Sequence, residues 1–453
     1  MIDSWKQCRL AELGTLRNGM NFNRHQEGPG VPVLKVKDFG DETFVPRNGL
    51  DELDPNKIKI SDEQLLRSGD VVIIRSNGNI ALVGRSMVFR ESKRPTTFSG
   101  FCIRFRPDTT KLNPRFVAHF IRSPICRQRL SAYGSGTGIQ NLSQEIIGNV
   151  PIDVPPLTEQ QRIADILGSL DDKIELNRRM NETLESMARR LFKSWFVDFD
   201  PVHAKAAVRR QHPDWPNARV SREALPKLDP KIAELFPDEF EESALGPIPK
   251  GGTATTVSNA IEVNPPRAIA QGTVAPWLEM SNMPTRSARA IAWERRAFGS
   301  GTKFKNGDTL VARITPCLEN GKTAFVDFLA DGEVGAGSTE YIVLRPKPPL
   351  PPTFGYFLAR NEDFRQHLIT NMTGTSGRQR APADCLNTYP IVVPHEEIAN
   401  SFGDFADAVL EQMKMNDEES FNLAVARDRL LPKLLAGQIQ VAQATNSNSG
   451  ERA

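Results

Sequence analysis

The sequence has no Cys-x-x-Cys pair, no histidine cluster, no glycine-rich nucleotide loop with its lysine, and no long apolar run. Its five cysteines, Cys8, Cys102, Cys126, Cys317 and Cys385, are scattered over 453 residues. That scatter argues against a zinc ribbon or a disulfide framework and suits a reducing cytoplasm. The longest aliphatic run, Val71 to Ile74, is far short of a membrane span, so no membrane partner is expected. The opening MIDSWKQCRL has no apolar signal core, and a cytoplasmic location follows as the expectation. Nucleophile-elbow and His-Glu-x-x-His motifs are also missing, and the six histidines are dispersed. No catalytic residue and no metal ligand is therefore assigned.

Two short stretches imitate active sites. Asn264 to Arg267 reads NPPR, close to the Asn-Pro-Pro-aromatic loop of adenine methyltransferases. Arg267 stands where a ring would stack on a flipped base, so a plain Pro-Pro loop is the simpler reading. PDEFEE at 237–242 looks like a nuclease carboxylate cluster without its lysine, and reads as an acidic, solvated helix end.

What is present is an uneven charge and a repeat. The net charge is only +2, yet residues 1–150 hold 22 Lys and Arg against 15 Asp and Glu. All of the excess lies in 85–129, with 11 basic residues and two acidic ones. Residues 251–394 are also basic, 15 against 12. Such a cluster suits a nucleic-acid partner or a solvated basic face.

The basic segments echo one another in order. GDVVIIRSNGNIALVGRSMVF from Gly69 matches GDTLVARITPCLENGKTAFV from Gly307. FSGFCIRFRP, ending at Pro107, matches GSTEYIVLRP, ending at Pro346. NPRFVAHFIRSPICRQRL matches PPTFGYFLARNEDFRQHL, and GSGTGIQNLSQEIIGNVPIDVP matches TGTSGRQRAPADCLNTYPIVVP. Each half thus predicts a β-rich stretch, a helix near 114–131 or 353–369, a Gly/Ser/Thr loop, a last strand closed by proline, and a long helix.

In the first long helix Thr158 and Gln161 fit a capping box. A 4,3 seam follows: Ile163, Leu167, Leu170, Ile174, Asn177, Asn181, Leu184, Ala188, Leu191 and Trp195. The second helix offers Phe402, Phe405, Val409, Gln412, Asn416, Leu423, Ala426 and Leu430. A helix of some 35 residues with one apolar stripe cannot bury that stripe alone. The two are expected to pack on each other, with the polar seam positions fixing register. Packing of each helix back onto its own domain is the alternative. Phe192, Trp195 and Phe196 exceed what one seam can bury, and are read as an interface core for a partner.

Base-reading residues should be Arg, Asn, Gln, Ser and Thr on loops, because these match groove donors and acceptors. The candidates in the first half are Arg75 and Asn77, then Ser135, Thr137, Gln140 and Asn141. The matching positions in the second half are Arg313 and Thr315, then Ser376, Arg378, Gln379 and Arg380. Arg85, Arg94, Arg104 and Arg106, with Arg90 and Lys93, are candidate phosphate contacts, of which alternation along strands should leave about half.

PPLTEQQRIADILGSLDDKIELNRRMNETLESMARRLFKSWFVDFDPV, Pro155 to Val202, resembles the central conserved region of the specificity subunit of type I restriction-modification enzymes. LLPKLLAGQI, Leu430 to Ile439, is similar to the end of the matching C-terminal region. The resemblance covers nearly the whole chain, closely in the helices and loosely in the domains. It implies an α+β chain with two pseudo-repeated α/β target recognition domains, each followed by a long helix, the helices forming an antiparallel coiled coil. The segments would be 1–157 and 251–395 for the domains, 158–198 and 396–437 for the helices, 199–250 for a connector with short ordered pieces chiefly at 230–242, and 438–453 for a disordered tail. It further implies double-stranded DNA as ligand and a split, asymmetric target. Two methylation subunits would bind S-adenosylmethionine, and two restriction subunits would use ATP and Mg. The chain itself would carry no cofactor and no catalysis. The second half departs from the first in having Gly252 where Trp5 stands.

Overall fold

The computed structural model describes residues 5–40, 43–78, 82–133 (side chains to 130), 141–375 and 377–439. The chain divides into two compact units, Met1–Leu176 with Glu419–Ala453, and Asn177–Glu418.

The first unit opens with β1 (Lys6–Arg9), β2 (Gly14–Asn18), β3 (Glu27–Leu34), β4 (Asp51–Leu53), β5 (Val71–Ile74), β6 (Ser86–Val88), β7 (Thr97–Phe98) and β8 (Cys102–Pro107). Helices α1 (Pro114–Arg122), α2 (Pro124–Tyr133) and α3 (Gln144–Gly148) follow, then β9 (Pro151–Val154) and the long α4 (Leu157–Phe196). One sheet runs β2-β8-β5-β6 and a second β4-β3-β7. Strand β5, VVII, is buried on both faces, which is why it is the one unbroken aliphatic run. Strand β1 closes the domain by pairing antiparallel with β9, Lys6 opposite Val154.

The single helix expected at 114–131 is two. Asn113 caps α1 through its side chain and Pro114 presets the first turn. Ser123 then turns extended before Pro124, and its hydroxyl accepts from Cys126 N. The capping box at Thr158 does not form, because α4 already begins at Leu157. Gln160 anchors that end instead: its amide donates to Pro155 O and Lys111 O and its oxygen accepts from Asn113 N.

The second unit contains α5 (Asp200–Gln211), α6 (Asn217–Ala224), α7 (Pro230–Leu235), β10 (Phe240–Ser243) and β11 (Gly246–Pro249). This connector is folded rather than mostly loose. Val202, Val220 and Phe236 are buried, and the fully buried Lys205 donates to Ala233 O and Phe236 O at the end of α7. Desolvation lowers the Lys205 pKa to about 8. Residues 237–242 start a β-hairpin and are not a helix end, with Asp238 paired to Arg209 and Glu239 to Lys250.

The second domain repeats the first. Its elements are β12 (Thr253–Thr256), α8 (Val257–Ala260), β13 (Ile261–Val263), β14 (Val274–Leu278), β15 (Glu294–Ala297), β16 (Thr302–Phe304), β17 (Thr309–Ala312), β18 (Thr323–Phe325), β19 (Gly335–Gly337) and β20 (Tyr341–Pro346). Then come α9 (Pro352–Ala359), α10 (Glu362–Thr370), β21 (Pro390–Val393) and α11 (Glu396–Leu435). The sheet β13-β20-β17-β18 copies β2-β8-β5-β6, and β12 pairs with β21 as β1 does with β9, without a tryptophan at 252. NPPR is structural: Asn264 takes a left-handed φ of 51° while its N and Oδ1 pair with Val343.

Helices α4 and α11 each contribute one half to each unit, and within each unit the halves run antiparallel. In the first, Arg427 Nη1 lies 2.7 Å from Asp171 Oδ1 and Lys173 Nζ 3.0 Å from Glu419 Oε2. In the second, Asn177 Nδ2 donates to Asn416 O at 3.3 Å and Asn181 Nδ2 to Met413 O at 3.2 Å.

Candidate nucleic-acid interface

In the first domain, β5 ends at Ile74 and releases Arg75 to Gly78. Ser76 forms an isolated antiparallel bridge with Asn141, and Leu142 N donates to Arg75 O at 2.8 Å. The second domain does the same after β17. Ile314 bridges Arg380, and Ala381 N donates to Arg313 O at 2.8 Å. Thr315 and Gln379 tie the second pair further, Gln379 N donating to Thr315 Oγ1 at 2.9 Å. Two candidate loops far apart in sequence are thus brought side by side in each domain, by the same backbone device. Asn141 and Arg378 are exposed there, and Arg75, Asn77, Arg313, Thr315, Gln379 and Arg380 half-buried. Ser135, Thr137, Gln140 and Ser376 lie outside the described residues.

The basic cluster is more committed to the fold than its charge suggests. Arg104 is only 4% exposed and donates to Glu63 O, so it presents no face to a phosphate. Arg106 holds Asp70 with Nε and Nη2, each at 2.7 Å, and donates to Leu65 O. Arg345 and Asp308 form the counterpart at the matching positions, 2.6 Å apart. In both, the aspartate follows a glycine in left-handed backbone, Gly69 at φ 90° and Gly307 at φ 83°, which only glycine adopts cheaply. The recurring Gly-Asp and Arg-Pro pairs are therefore a staple between a turn and a strand end, and Arg106 leaves the set of phosphate candidates with Arg104. Both fail for one reason: on the same face of β8 each guanidinium is turned inward, onto the backbone carbonyls of Glu63 and Leu65.

Arg90 is drawn to Asp172, and its guanidinium carbon sits 3.2 Å from the centroid of the Phe44 ring. Arg94 pairs with Glu52 at 2.8 Å, and that hydrogen bond is the first cause holding the Glu52 carboxyl down at about 2. Arg380 is similarly matched by Glu340 at 2.7 Å, which raises its pKa. Lys93 is exposed and Arg85 half-buried.

The helix seam is offset from the predicted one. Ile163, Leu167, Asn177, Asn181, Ala188, Phe192 and Trp195 are buried, but Leu170, Ile174, Leu184 and Leu191 are only half-covered. On α11, Phe402, Val409 and Asn416 are buried, whereas Phe405, Gln412, Leu423 and Leu430 are half-buried and Ala426 is exposed. Ala406, Met413, Leu431 and Leu434 take the inner places. The face is wider than a two-position stripe because each half-helix packs on its partner and on a globular domain together. Ile163 and Leu167 share a core with Phe116, Leu431 and Leu434, and Phe402 and Met413 share one with Phe354 and Phe357.

Phe192, Trp195 and Phe196 are not an exposed docking core. They stack among Phe354, Phe357, Phe402 and Phe236, with Phe192 and Phe354 centroids 4.9 Å apart and Trp195 and Phe236 also 4.9 Å apart. The folded connector supplies Phe236, which the residue pattern did not anticipate.

Three buried polar knots hold these helices; the sequence reading placed Asn181 and Asn416 on the seam but named none of the charged partners. Asn416 Nδ2 donates to Asn181 Oδ1 at 2.8 Å, and Asn181 Nδ2 to Asp417 Oδ1 at 2.8 Å. Asp417 in turn accepts from Arg289 at 2.9 Å, which also holds Asp327. Glu185 Oε1 accepts from Tyr356 Oη, Arg360 Nε and Arg360 Nη2 at 2.5, 3.0 and 2.9 Å. Asp171 takes Arg427 and faces His119 at 3.8 Å; desolvation first, against that aspartate, lowers the His119 pKa to about 4. One signal was available for the second: an arginine ends the matching helix in each half, Arg122 and Arg360.

Among the described residues no helix is long and apolar enough to cross a membrane. A family model described as the type I restriction modification DNA specificity domain matches residues 2–186. The chain is 24% identical over 338 residues to the HindI type I restriction enzyme specificity subunit of Haemophilus influenzae, covering 67% of this chain and 72% of that one. It is 23% identical to the MjaIX specificity subunit of Methanocaldococcus jannaschii, over 97% of this chain and 94% of the other. Among solved structures, a type I restriction-modification S subunit from M. genitalium superposes with a TM-score of 0.49 at 13% identity, over 95% of this chain and 96% of that one.

Proposed function

Because the chain belongs to the specificity subunits of type I restriction-modification enzymes, we propose that it reads a bipartite, asymmetric DNA duplex and supplies no catalysis of its own. Residues 1–150 read one half-site and 251–394 the other, mainly in the major groove, where each base pair presents a distinct donor and acceptor pattern. Helices α4 and α11 set the spacing between the half-sites. Two methylation subunits dock on this chain and bring S-adenosylmethionine; two restriction subunits with ATP and Mg complete the enzyme.

The observation that carries this reading is the repeated bridge, Ser76 with Asn141 and Ile314 with Arg380, which in each domain sets two polar loops next to each other. A reader of several adjacent base pairs needs more than one loop at one place. Arg94 is spent on Glu52 and Gly30 O, and Lys93 and Arg85 remain as phosphate contacts, which position without specifying sequence.

The test is methylome sequencing of the host with and without this chain. A bipartite adenine-methylation motif that appears only with the chain, together with co-purification of a methylation subunit, is the expected result. Purified chain that methylates or cuts DNA unaided would refute the reading.

A further inference from the structure

A half-buried guanidinium is costly to desolvate, and folded proteins pair it. The arginines of the two domains follow that rule with one recurring exception. Among the described residues, Arg24, Arg47, Arg67, Arg286 and Arg378 have no side-chain hydrogen bond or ion pair, but all are exposed. Arg75 and Arg313 are half-buried, and the Nε of each is enclosed with no partner. Neither has an ion pair, and their terminal nitrogens reach solvent.

They occupy the same repeat position. Each is the first residue after the central strand, β5 or β17, and each gives its carbonyl to the amide that follows the bridged residue of the second loop. The four residues there read RSNG and RITP, and the arginine alone is identical. Diverged loops have changed every neighbour and kept one unpaired cation at the junction of the two loops.

We propose that Arg75 and Arg313 are the paired specificity arginines of this chain, each reading a guanine in its own half-site. The idea rests on the bipartite-DNA reading above and goes further by naming the residue and the base. With Nε enclosed, the donors left are the two terminal nitrogens of a planar fork. That fork matches guanine O6 and N7 in the major groove, the commonest specific arginine contact. Binding would also supply the partners that the free domain withholds. The neighbouring arginines cannot substitute, since Arg380 is held by Glu340 and Arg106 by Asp70.

The test compares host methylomes carrying the wild-type chain, Arg75→Lys, or Arg313→Lys. Lysine keeps the charge and loses the fork. Arg75→Lys should relax one guanine position of the first half-motif by about 5- to 150-fold and leave the second half-motif intact. Arg313→Lys should do the converse. If wild type yields no bipartite motif, the functional reading itself is wrong. If wild type yields one, this inference is overturned when the variants leave every position unchanged, weaken all sequences alike as lost phosphate contacts would, or relax the other half. Thermal unfolding of the purified variants guards the remaining case. A substantial fall in melting temperature would make the two arginines parts of the scaffold, and would also overturn the proposal.

Discussion

Glu185 is a place where losing one side chain should be costly. It lies in the middle of α4, only 4% exposed, with one carboxylate oxygen serving Tyr356 Oη and two nitrogens of Arg360. Arg360 is itself 8% exposed, and its remaining nitrogen donates to Thr285 O and Gly321 O. In Glu185→Ala the guanidinium stays buried, because those two carbonyls still hold it, but its counter-charge is gone. Breaking a buried pair from one side costs about 3–5 kcal/mol. Glu185→Gln keeps the size and an acceptor for Tyr356 while losing the charge, and should cost about 1.5–3 kcal/mol.

The assay is urea unfolding followed by tryptophan fluorescence. Four of the five tryptophans, Trp195, Trp215, Trp277 and Trp293, belong to the second unit, so the signal reports the unit that contains the network. With a slope of about 3 kcal/mol per M urea, Glu185→Ala lowers the midpoint by about 1–1.7 M. The double variant Glu185→Leu, Arg360→Met should recover much of the loss, since replacing both members with apolar groups leaves no stranded charge. Strict additivity of the two single changes, or an effect of Glu185→Ala below about 1 kcal/mol, would show that the pair is not coupled and refute the reasoning.

Arg106→Ala should lower first-domain stability yet leave the salt dependence of DNA binding unchanged; a staple predicts this, whereas a lost phosphate contact would reduce the log-log salt slope by about one. His119 titrates near 6.5 unfolded and near 4 folded, so below pH 6.5 the unfolded chain takes up a proton that the native one refuses, and up to about 3 kcal/mol of stability is lost by pH 4. His119→Phe, which copies Phe357 of the other domain, should flatten that acid limb in melting curves recorded between pH 7 and 4. Asn181→Leu removes the acceptor of the Asn416 Nδ2 hydrogen bond and should cost about 1–3 kcal/mol in urea unfolding, with Asn181→Leu, Asn416→Leu less unstable than the single change. On the proposed function, a seven-residue insertion in both helices, beside Asn181 and beside Asn416, keeps the seam in phase and adds about 10 Å. The methylated motif should then gain about three base pairs of spacer with both half-sequences unchanged, and a fixed spacer with an altered half-sequence would count against the ruler.

The repeat, the two long helices and the closing strands were legible because they rest on local periodicity and on order along the chain. The offset seam was not, because a helix in contact with two neighbours buries a broad arc, and a two-position template divides that arc wrongly at Leu184 and Gln412. Nor was the order of the connector legible. Its charge and proline content read as a linker, while its stability comes from a few long-range contacts, Phe236 under Trp195 and Lys205 against the end of α7. The arginines were misassigned for a related reason. Arg106 meets Asp70 across 36 residues of sequence, a pairing that only the strand order creates.

Recurrence in both halves marks scaffold and function alike, which is why it could not separate them. Asp70 and Arg106 recur as Asp308 and Arg345; Arg75 recurs as Arg313. What separates them is whether the charge is matched inside the fold. A matched pair has spent its hydrogen-bonding capacity on the domain and gains little from a ligand. An unmatched, half-buried cation keeps a desolvation cost that a ligand can offset, and a chain under no such demand would have replaced it or paired it. On that criterion the many basic residues of the two domains reduce, at the loop junctions, to one arginine in each.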